Sequence, residues 1–287
     1  AQSQAKSELA DRLDKATRAA NQAASRLQAL EELEASYEGF YRGVQVVMKA
    51  AQSGKLSGIV GVLTNVLTVP KEYEVAVEVA LGGSLQDIIT VSERDAQEAI
   101  RFLKSTNQGR ATFLPLDLLQ TNVRYDQAHQ ILKRPGVVGL AKDLIEFDPK
   151  ILRAVERRLG STVLVQNLPV AVGLQREGIR NRYVSLDGEL VDPSGVLTGG
   201  SHKSLGLLTR TREIRQLRDE ATRLDADRKR LHDELAAAND TLSQAHARAA
   251  ELQSDSHAEQ MAEARSEKDF QSAEARSKAA NKDNFPG

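Results

Sequence analysis

The sequence predicts an α+β fold in which a globular block of two mixed α/β subdomains is inserted in an intramolecular antiparallel coiled coil. Leucine and alanine recur with alternating spacings of three and four residues near both ends of the chain. The middle of the chain instead carries short β-rich runs separated by turn residues. Aromatic residues make up only 4% of the chain and Trp is absent, which is typical of long surface helices rather than of an extended β protein.

These changes of pattern divide the 287 residues into three segments. An N-terminal coiled-coil arm is expected over residues 1–36 and a C-terminal arm over residues 207–287. The globular block then covers residues 37–206, with subdomain I at 37–125 and subdomain II at 126–206.

Both arms are predicted from heptad seams. In the N-terminal arm the seam residues are Leu9, Leu13, Ala16, Ala20, Ala23, Leu27 and Leu30. In the C-terminal arm they are Ile214, Leu217, Ala221, Leu224, Arg228, Leu231, Leu235, Ala238, Leu242, Ala245, Ala249 and Leu252. An ordinary amphipathic helix drifts off such a period within a few heptads, so two seams in one chain favour a coiled coil.

The arms are expected to pair with each other, because the chain leaves the globular block on one seam and returns on the other. An antiparallel register brings Leu30 near Ile214 and Ala20 near Arg228. The acidic run at 31–34 then falls opposite the basic run at 210–218.

The C-terminal arm is longer than its partner. Beyond about residue 245 no pairing segment remains, and residues 262–287 are expected to be unpaired or frayed. The chain also starts without Met and in mid-pattern, so we expect it to be a piece of a longer protein.

The globular block is predicted to contain two rounds of strands and helices. Strands are expected at 59–63, 85–91, 111–114, 137–140 and 162–165, followed by a hairpin that joins 183–186 to 189–191. Helices are expected at 72–81, 92–104, 149–159 and 169–176. Ser92 with Asp95 resembles a capping box, and Asp148 before Pro149 caps a further helix.

Composition excludes several classes of function. Because the chain has no Cys, it can form no disulfide, thiolate metal site or catalytic thiol. Its 39 basic and 40 acidic residues give no overall field that attracts nucleic acid or an anionic membrane. No apolar run approaches the roughly 20 residues that span a bilayer. We therefore expect an intracellular protein.

Motifs for catalysis are also missing from the sequence. The stretch nearest to a Walker A loop, at 195–204, has Ser where the phosphate-binding Lys is required. The five His residues include no pair spaced three or four apart that would present two metal ligands on one helix face. We therefore expect no enzyme activity, cofactor or metal in this segment. The alternative is an α/β small-molecule enzyme that carries a helical hairpin for oligomerisation.

Three motifs in the globular block carry a family resemblance. They are Leu-Gly-Gly-Ser-Leu-Gln-Asp-Ile-Ile at 81–89, Gly-Arg-Ala-Thr-Phe-Leu-Pro-Leu at 109–116, and Asp-Gly-Glu-Leu-Val-Asp-Pro-Ser-Gly-Val-Leu-Thr-Gly-Gly at 187–200. In this order they closely resemble the hinge domain of bacterial-type SMC (structural maintenance of chromosomes) proteins. The flanking heptads lie where the SMC arms are expected.

The resemblance implies a dimerisation hinge of an ATPase for chromosome condensation and segregation. Its partners would be a second copy of the chain and, non-specifically, DNA, with no membrane. ATP and Mg would bind in heads that lie outside this segment, together with accessory subunits. The implied location is the cytoplasm, associated with the nucleoid.

The resemblance also implies interface residues. A strand edge in one subdomain would meet a strand edge of the partner's other subdomain, and glycines allow a close backbone approach. The expected interface residues are Gly195, Gly199, Gly200, Gly82 and Gly83. The alternative role for these residues is that of turn and cap glycines. Ser194 departs from the family pattern, which often has a Gly pair there.

DNA contact is expected at local clusters, because the globular block is nearly neutral. The candidate residues are Arg153, Arg157, Arg158, Arg176, Arg180, Arg182, Lys203, Arg210 and Arg212. The last three lie where the globular block meets the C-terminal arm.

Overall fold

The structure, a computed structural model, describes residues 2–120, 131–200 and 206–283. The α-helices are α1 (Gln2–Ala35), α2 (Arg42–Gln52), α3 (Leu63–Val66), α4 (Glu74–Leu81), α5 (Glu93–Thr106), α6 (Leu152–Leu159), α7 (Leu168–Arg176) and α8 (Leu207–Asp283). Short 3-10 helices lie at Lys71–Tyr73, Gly82–Gln86, Ala141–Asp143 and Pro149–Ile151.

Short strands lie between the two long helices. They are β1 (Ile59–Val62), β2 (Leu67–Thr68), β3 (Ile88–Thr90), β4 (Phe113–Pro115), β5 (Val137–Leu140), β6 (Glu146–Phe147), β7 (Thr162–Val165), β8 (Arg182–Ser185), β9 (Leu190–Val191) and β10 (Leu197–Thr198). A mixed α/β block between two long helices confirms the predicted fold class.

The strands form two main sheets, one in each predicted subdomain. The first has the order β1-β3-β4, with β1 antiparallel and β4 parallel to β3. The second has the order β10-β9-β8-β7-β5, with one parallel pair, β7 with β8. A small sheet that the sequence did not predict pairs β2 with β6 and so joins the two subdomains.

Helix ends in the block follow the predicted caps. Ser92 and Asp95 form a reciprocal capping box at the start of α5. Asp148 accepts a hydrogen bond from the Lys150 amide before α6. The predicted strand at 85–91 begins only at Ile88, because residues 82–86 form a 3-10 turn after α4.

The chain forms two compact units, one of Ala1–Gln22 with Ala221–Gly287 and one of Ala23–Glu220. In the first unit, Leu13 and Thr17 of α1 share a cleft with Arg228 and His232 of α8. From residue 243 to residue 278, every side chain of α8 is exposed.

In the second unit, Arg218 Nη2 of α8 lies 2.5 Å from Glu31 Oε1 of α1. Arg26 of α1 lies 3.6 Å from Glu213. Later residues of α1 thus lie beside earlier residues of α8, as an antiparallel pair requires. Burial of Ala23, Ile214 and Leu217 agrees with the predicted seam.

The basic run at 210–218 faces the acidic run only in part. Arg218 pairs with Glu31 as predicted. Arg212 instead pairs with Glu74 of α4, and Arg215 donates to the Leu67 carbonyl of β2. The prediction was wrong for Arg212, because the helix turns it toward the globular block, and sequence spacing does not reveal that direction. Burial raises the pKa of Glu34, and the charges of Arg210, Arg218 and Arg215 oppose that rise, so these three arginines face the acidic run.

The largest hydrophobic core belongs to both subdomains. Leu63, Leu85 and Ile89 of the first subdomain pack in one cluster with Val155 and Leu164 of the second. All five are fully buried. Burying such a side chain contributes roughly 1.5–3 kcal/mol relative to leaving it exposed. Each subdomain also has a smaller cluster of its own.

A buried ion pair reinforces this junction. Asp87, just before β3, has one oxygen 2.5 Å from Arg158 Nη2 of α6. The Asp87 side chain is 5% exposed and that of Arg158 is 29% exposed. Burial raises the pKa of Asp87, and the Arg158 charge opposes that rise. Arg158 therefore offsets part of the cost of burying the Asp87 charge.

Replacing Arg158 with Met is expected to lower the free energy of unfolding by about 2–3 kcal/mol, because Asp87 would keep a buried charge without its counterion. Arg157→Met on the same helix removes an equal charge from an exposed position. Its effect should stay within about 0.5 kcal/mol. Denaturant unfolding of both variants checks this, and equal losses would contradict it.

Candidate dimerisation edge

The open side of the five-stranded sheet is formed by β10. Among the described residues this strand pairs only with β9, through Leu197 with Val191 and Thr198 with Leu190. An edge strand presents unpaired N–H and C=O groups that can hydrogen bond to another strand. The edge is short and contains no charged residue or proline that would block such pairing.

The segment around β10 is exposed throughout residues 193–200. It includes two large apolar side chains, Val196 at 60% exposure and Leu197 at 56%. β-branched and leucine side chains beside a free strand edge form the kind of surface that another chain covers. The sequence contained this signal as an apolar pair between glycines, but our prediction used only the glycines.

Three predicted interface glycines flank this strand. Gly195 has φ of +90° and Gly200 has φ of +123°, both in the region that favours glycine. An added Cβ at either position would meet no atom of the described residues within 4 Å. At Gly199 an added Cβ would lie 3.3 Å from Glu189 Cγ of the neighbouring hairpin. The turn role and an interface role are therefore compatible at these positions.

The other two predicted glycines lie apart from β10 in the chain. Gly82 has φ of +52° and ends α4, so it serves as the helix stop that the sequence suggested. Gly83 follows in the 3-10 turn, where an added Cβ would lie 4.0 Å from the Tyr41 hydroxyl. An interface role for both residues stays a prediction.

A tight turn leads into the exposed edge. The Gly195 amide donates to the Asp192 carbonyl at 2.8 Å. Asp192 Oδ1 accepts hydrogen bonds from the Ser194 amide at 2.9 Å and from the Ser194 hydroxyl at 2.7 Å. Both bonds favour the ionised carboxylate and lower the pKa of Asp192. Ser194, the departure from the family pattern, thus stabilises the turn locally.

Four of the predicted DNA-binding arginines are engaged within the fold. Arg158 pairs with Asp87 and Arg212 with Glu74. Arg153 donates to the Leu116 carbonyl at 3.1 Å. Arg210 donates to the Glu38 carbonyl at 2.9 Å and lies 5.6 Å from the centre of the Phe40 ring. The ion pairs of Arg158 and Arg212 neutralise their charge, so these two residues have a structural role.

The remaining candidates are less constrained. Arg157, Arg176 and Arg180 are exposed, and no acidic partner lies within ion-pair distance of them among the described residues. Arg182 is half-buried at the start of β8, near Asp192. Lys203 lies outside the described residues.

The parts of the chain that the structure describes contain no group of three His, Asp or Glu side chains that could hold a metal ion. None of the helices in those parts is long and apolar enough to cross a membrane.

Comparison with known proteins decides the family. The family model described as the SMC proteins flexible hinge domain matches residues 56–175. The hinge domain of the Geobacillus stearothermophilus SMC protein, solved as an asymmetric dimer, is 36% identical with a TM-score of 0.78. The match covers 84% of this chain and 98% of that one. The chain belongs to the SMC hinge family.

Curated relatives place the hinge within longer proteins. The chromosome partition protein Smc of Desulfitobacterium hafniense is 46% identical over 201 residues, which is 68% of this chain. That of Bacillus subtilis is 36% identical over 197 residues, or 67% of this chain. The chain spans only 17% and 16% of these two relatives.

The family assignment decides between the hinge domain and the enzyme that the sequence left as its alternative. The segment is a hinge domain and not a catalytic domain, as expected. The alternative of an α/β small-molecule enzyme has no support from these matches.

Ser194→Ala is expected to raise the pKa of Asp192 toward its ordinary value of about 3.9, because one hydrogen bond to the carboxylate is lost. A lowered pKa in the folded state means that the turn is stabilised above pH 4 or so and loses this contribution as the pH falls through the folded pKa. An NMR titration of the side-chain carboxyl carbons measures the pKa.

Asp225 provides the internal control for this titration. Its pKa is lowered by Lys229 and Arg228, far along the chain from Ser194. The pKa of Asp225 should not change in the Ser194→Ala variant. An unchanged pKa of Asp192 would show that the hydroxyl does not hold the turn.

Proposed function

We propose that the chain is the homodimerisation hinge of an SMC ATPase for chromosome condensation and segregation. The observation that carries the proposal is the exposed edge strand β10, which combines apolar side chains with flanking glycines. Hydrogen bonds from a partner strand would satisfy the edge, and burial of Val196 and Leu197 would add a hydrophobic contribution.

Several features support pairing with a second copy of the chain. The similar Geobacillus hinge is a dimer. The hinge has two sheets, so an edge of each can be paired across a two-fold arrangement. Gly82 and Gly83 in the first subdomain would lie beside the partner's β10, where small residues leave room for its backbone.

The parts of the parent protein outside this chain would supply the remaining functions. ATP and Mg would bind in its heads, together with accessory subunits. The relatives named for chromosome partition suggest a location in the cytoplasm at the nucleoid. The hinge itself would join the two arms.

Leu197→Lys is expected to convert the dimer to a monomer, because a charge would be buried at the strand edge. Its fold should remain intact, since Leu197 is exposed within the chain. Sedimentation velocity measures the oligomeric state and circular dichroism checks the fold.

Phe270→Lys is the matched control, because Phe270 is also exposed, at 71%, but lies in α8 outside the globular block. This variant should remain a dimer. A dimeric Leu197→Lys variant would refute the use of β10 in the interface.

We also propose that the hinge contacts DNA through the exposed arginines that have no ion-pair partner in the described parts of the chain. Arg176 and Arg180 near the end of α7 are exposed and only four residues apart. Arginines of this kind bind phosphates without reading base sequence. Engaged residues such as Arg158 and Arg212 would first have to break ion pairs.

The double variant Arg176→Gln with Arg180→Gln should weaken binding to duplex DNA. It should also reduce the slope of log binding constant against log salt concentration by about two, since each phosphate contact contributes about one to that slope. Fluorescence anisotropy at several salt concentrations measures both quantities. The control, Arg94→Gln with Arg101→Gln, removes the same charge from exposed positions on α5. Equal losses in both double variants would indicate a general charge effect and refute the site.

A further inference from the structure

Helix α4 contacts the base of the C-terminal arm and adjoins two segments linked to the candidate interface. It is eight residues long, or about 12 Å. Three contacts along this helix suggest a mechanical role.

The first contact joins α4 to the C-terminal arm. Glu74, the first residue of α4, accepts a hydrogen bond from Arg212 Nε and a second from Arg212 Nη2 at 3.4 Å. The Thr209 hydroxyl also donates to Glu74, at 3.1 Å. Both charged side chains are largely buried, at 10% exposure for Glu74 and 21% for Arg212. A bidentate pair of this kind fixes orientation as well as distance.

The second connection is the backbone itself, at the other end of the helix. Gly82 ends α4, and its amide donates to the Glu78 carbonyl. The 3-10 turn Gly82–Gln86 follows directly and contains Gly83, which is also predicted to lie in the interface. Any displacement of α4 must therefore move this turn.

The third contact lies on the side of α4. The turn between β8 and β9 places Gly188, with φ of +91°, against this helix. A Cβ added at Gly188 would lie 3.0 Å from Val75 Cγ1 and 3.3 Å from Val79 Cγ2. The strand after this turn is β9, which pairs with β10. The helix therefore contacts the hairpin that carries the exposed edge.

The helix is packed tightly against the rest of the globular block. Ala76, Val77 and Ala80 are buried in the core that both subdomains share. Close-packed elements transmit displacement because interiors resist compression.

We propose that α4 couples the base of the C-terminal arm to the dimer interface, with the Glu74–Arg212 pair as the connection. A change in the direction of residues 207–220 would shift α4, and α4 would shift both the Gly82–Gln86 turn and the β8–β9 turn. This inference rests on the proposed dimerisation, and it adds a way for the arms to control that interface.

Native-state hydrogen exchange of the full chain tests the coupling. Glu74→Gln keeps the shape of the side chain but removes the negative charge that pairs with Arg212. Exchange should accelerate about tenfold at the amides of residues 82–87 and 188–190, relative to the amides of β7. Strand β7 serves as reference because all four of its residues are buried in the central sheet.

Two further variants separate coupling from simple loss of stability. Arg212→Lys keeps the charge but loses the bidentate geometry, so it should give a smaller effect in the same two segments. Glu31→Gln removes the exposed pair with Arg218 on the same arm, away from α4, and should leave both segments unchanged. Acceleration confined to residues 207–220, equal acceleration throughout including β7, or no acceleration would each overturn the coupling.

Sedimentation of the same samples separates this inference from the proposed function. A monomeric unmodified chain would overturn the proposed dimer. A dimeric chain in which Glu74→Gln leaves the two turns unaffected would overturn the coupling alone.

Discussion

One hydrophobic core shared by two subdomains is the constraint on which the rest of the hinge depends. Each subdomain has its own sheet, but the largest cluster of buried apolar side chains in the described residues draws on both subdomains. The β2–β6 sheet and the Asp87–Arg158 pair cross the same junction. The two subdomains therefore fix each other's position. The edge strands of the two sheets consequently keep a fixed position relative to each other.

This arrangement leaves β10 as a surface that the described residues do not cover. A buried core fixes β7 and β8, while β10 at the end of the sheet keeps its apolar side chains exposed. The turn held by Asp192 and Ser194 fixes the chain as it enters the strand. A rigid edge loses less conformational entropy when a partner binds, which favours affinity.

The arginines at the start of α8 show why charge clusters in a sequence are ambiguous. Arg210, Arg212 and Arg215 lie within the first three turns of α8, and each contacts a different part of the globular block. Their charges and hydrogen bonds anchor the arm to the hinge. Arg176 and Arg180 are less prominent in the sequence, but they are exposed and have no acidic partner within ion-pair distance among the described residues.

The sequence by itself determined the features that depend on local spacing. Heptad seams predicted both arms and their antiparallel pairing, and Ser92 with Asp95 predicted a helix start, because these patterns act over a few residues. Three glycine-containing motifs indicated the family correctly. Only the tertiary structure decided which contacts form between distant segments.

The contacts that the sequence did not reveal all join residues far apart in the chain. Glu74 and Arg212 are 138 positions apart, and nothing in either neighbourhood points to the other. The β2–β6 sheet has two residues in each strand, too few for an alternating pattern to be recognised. Packing of the shared core brings these segments together, and local sequence patterns do not specify that packing.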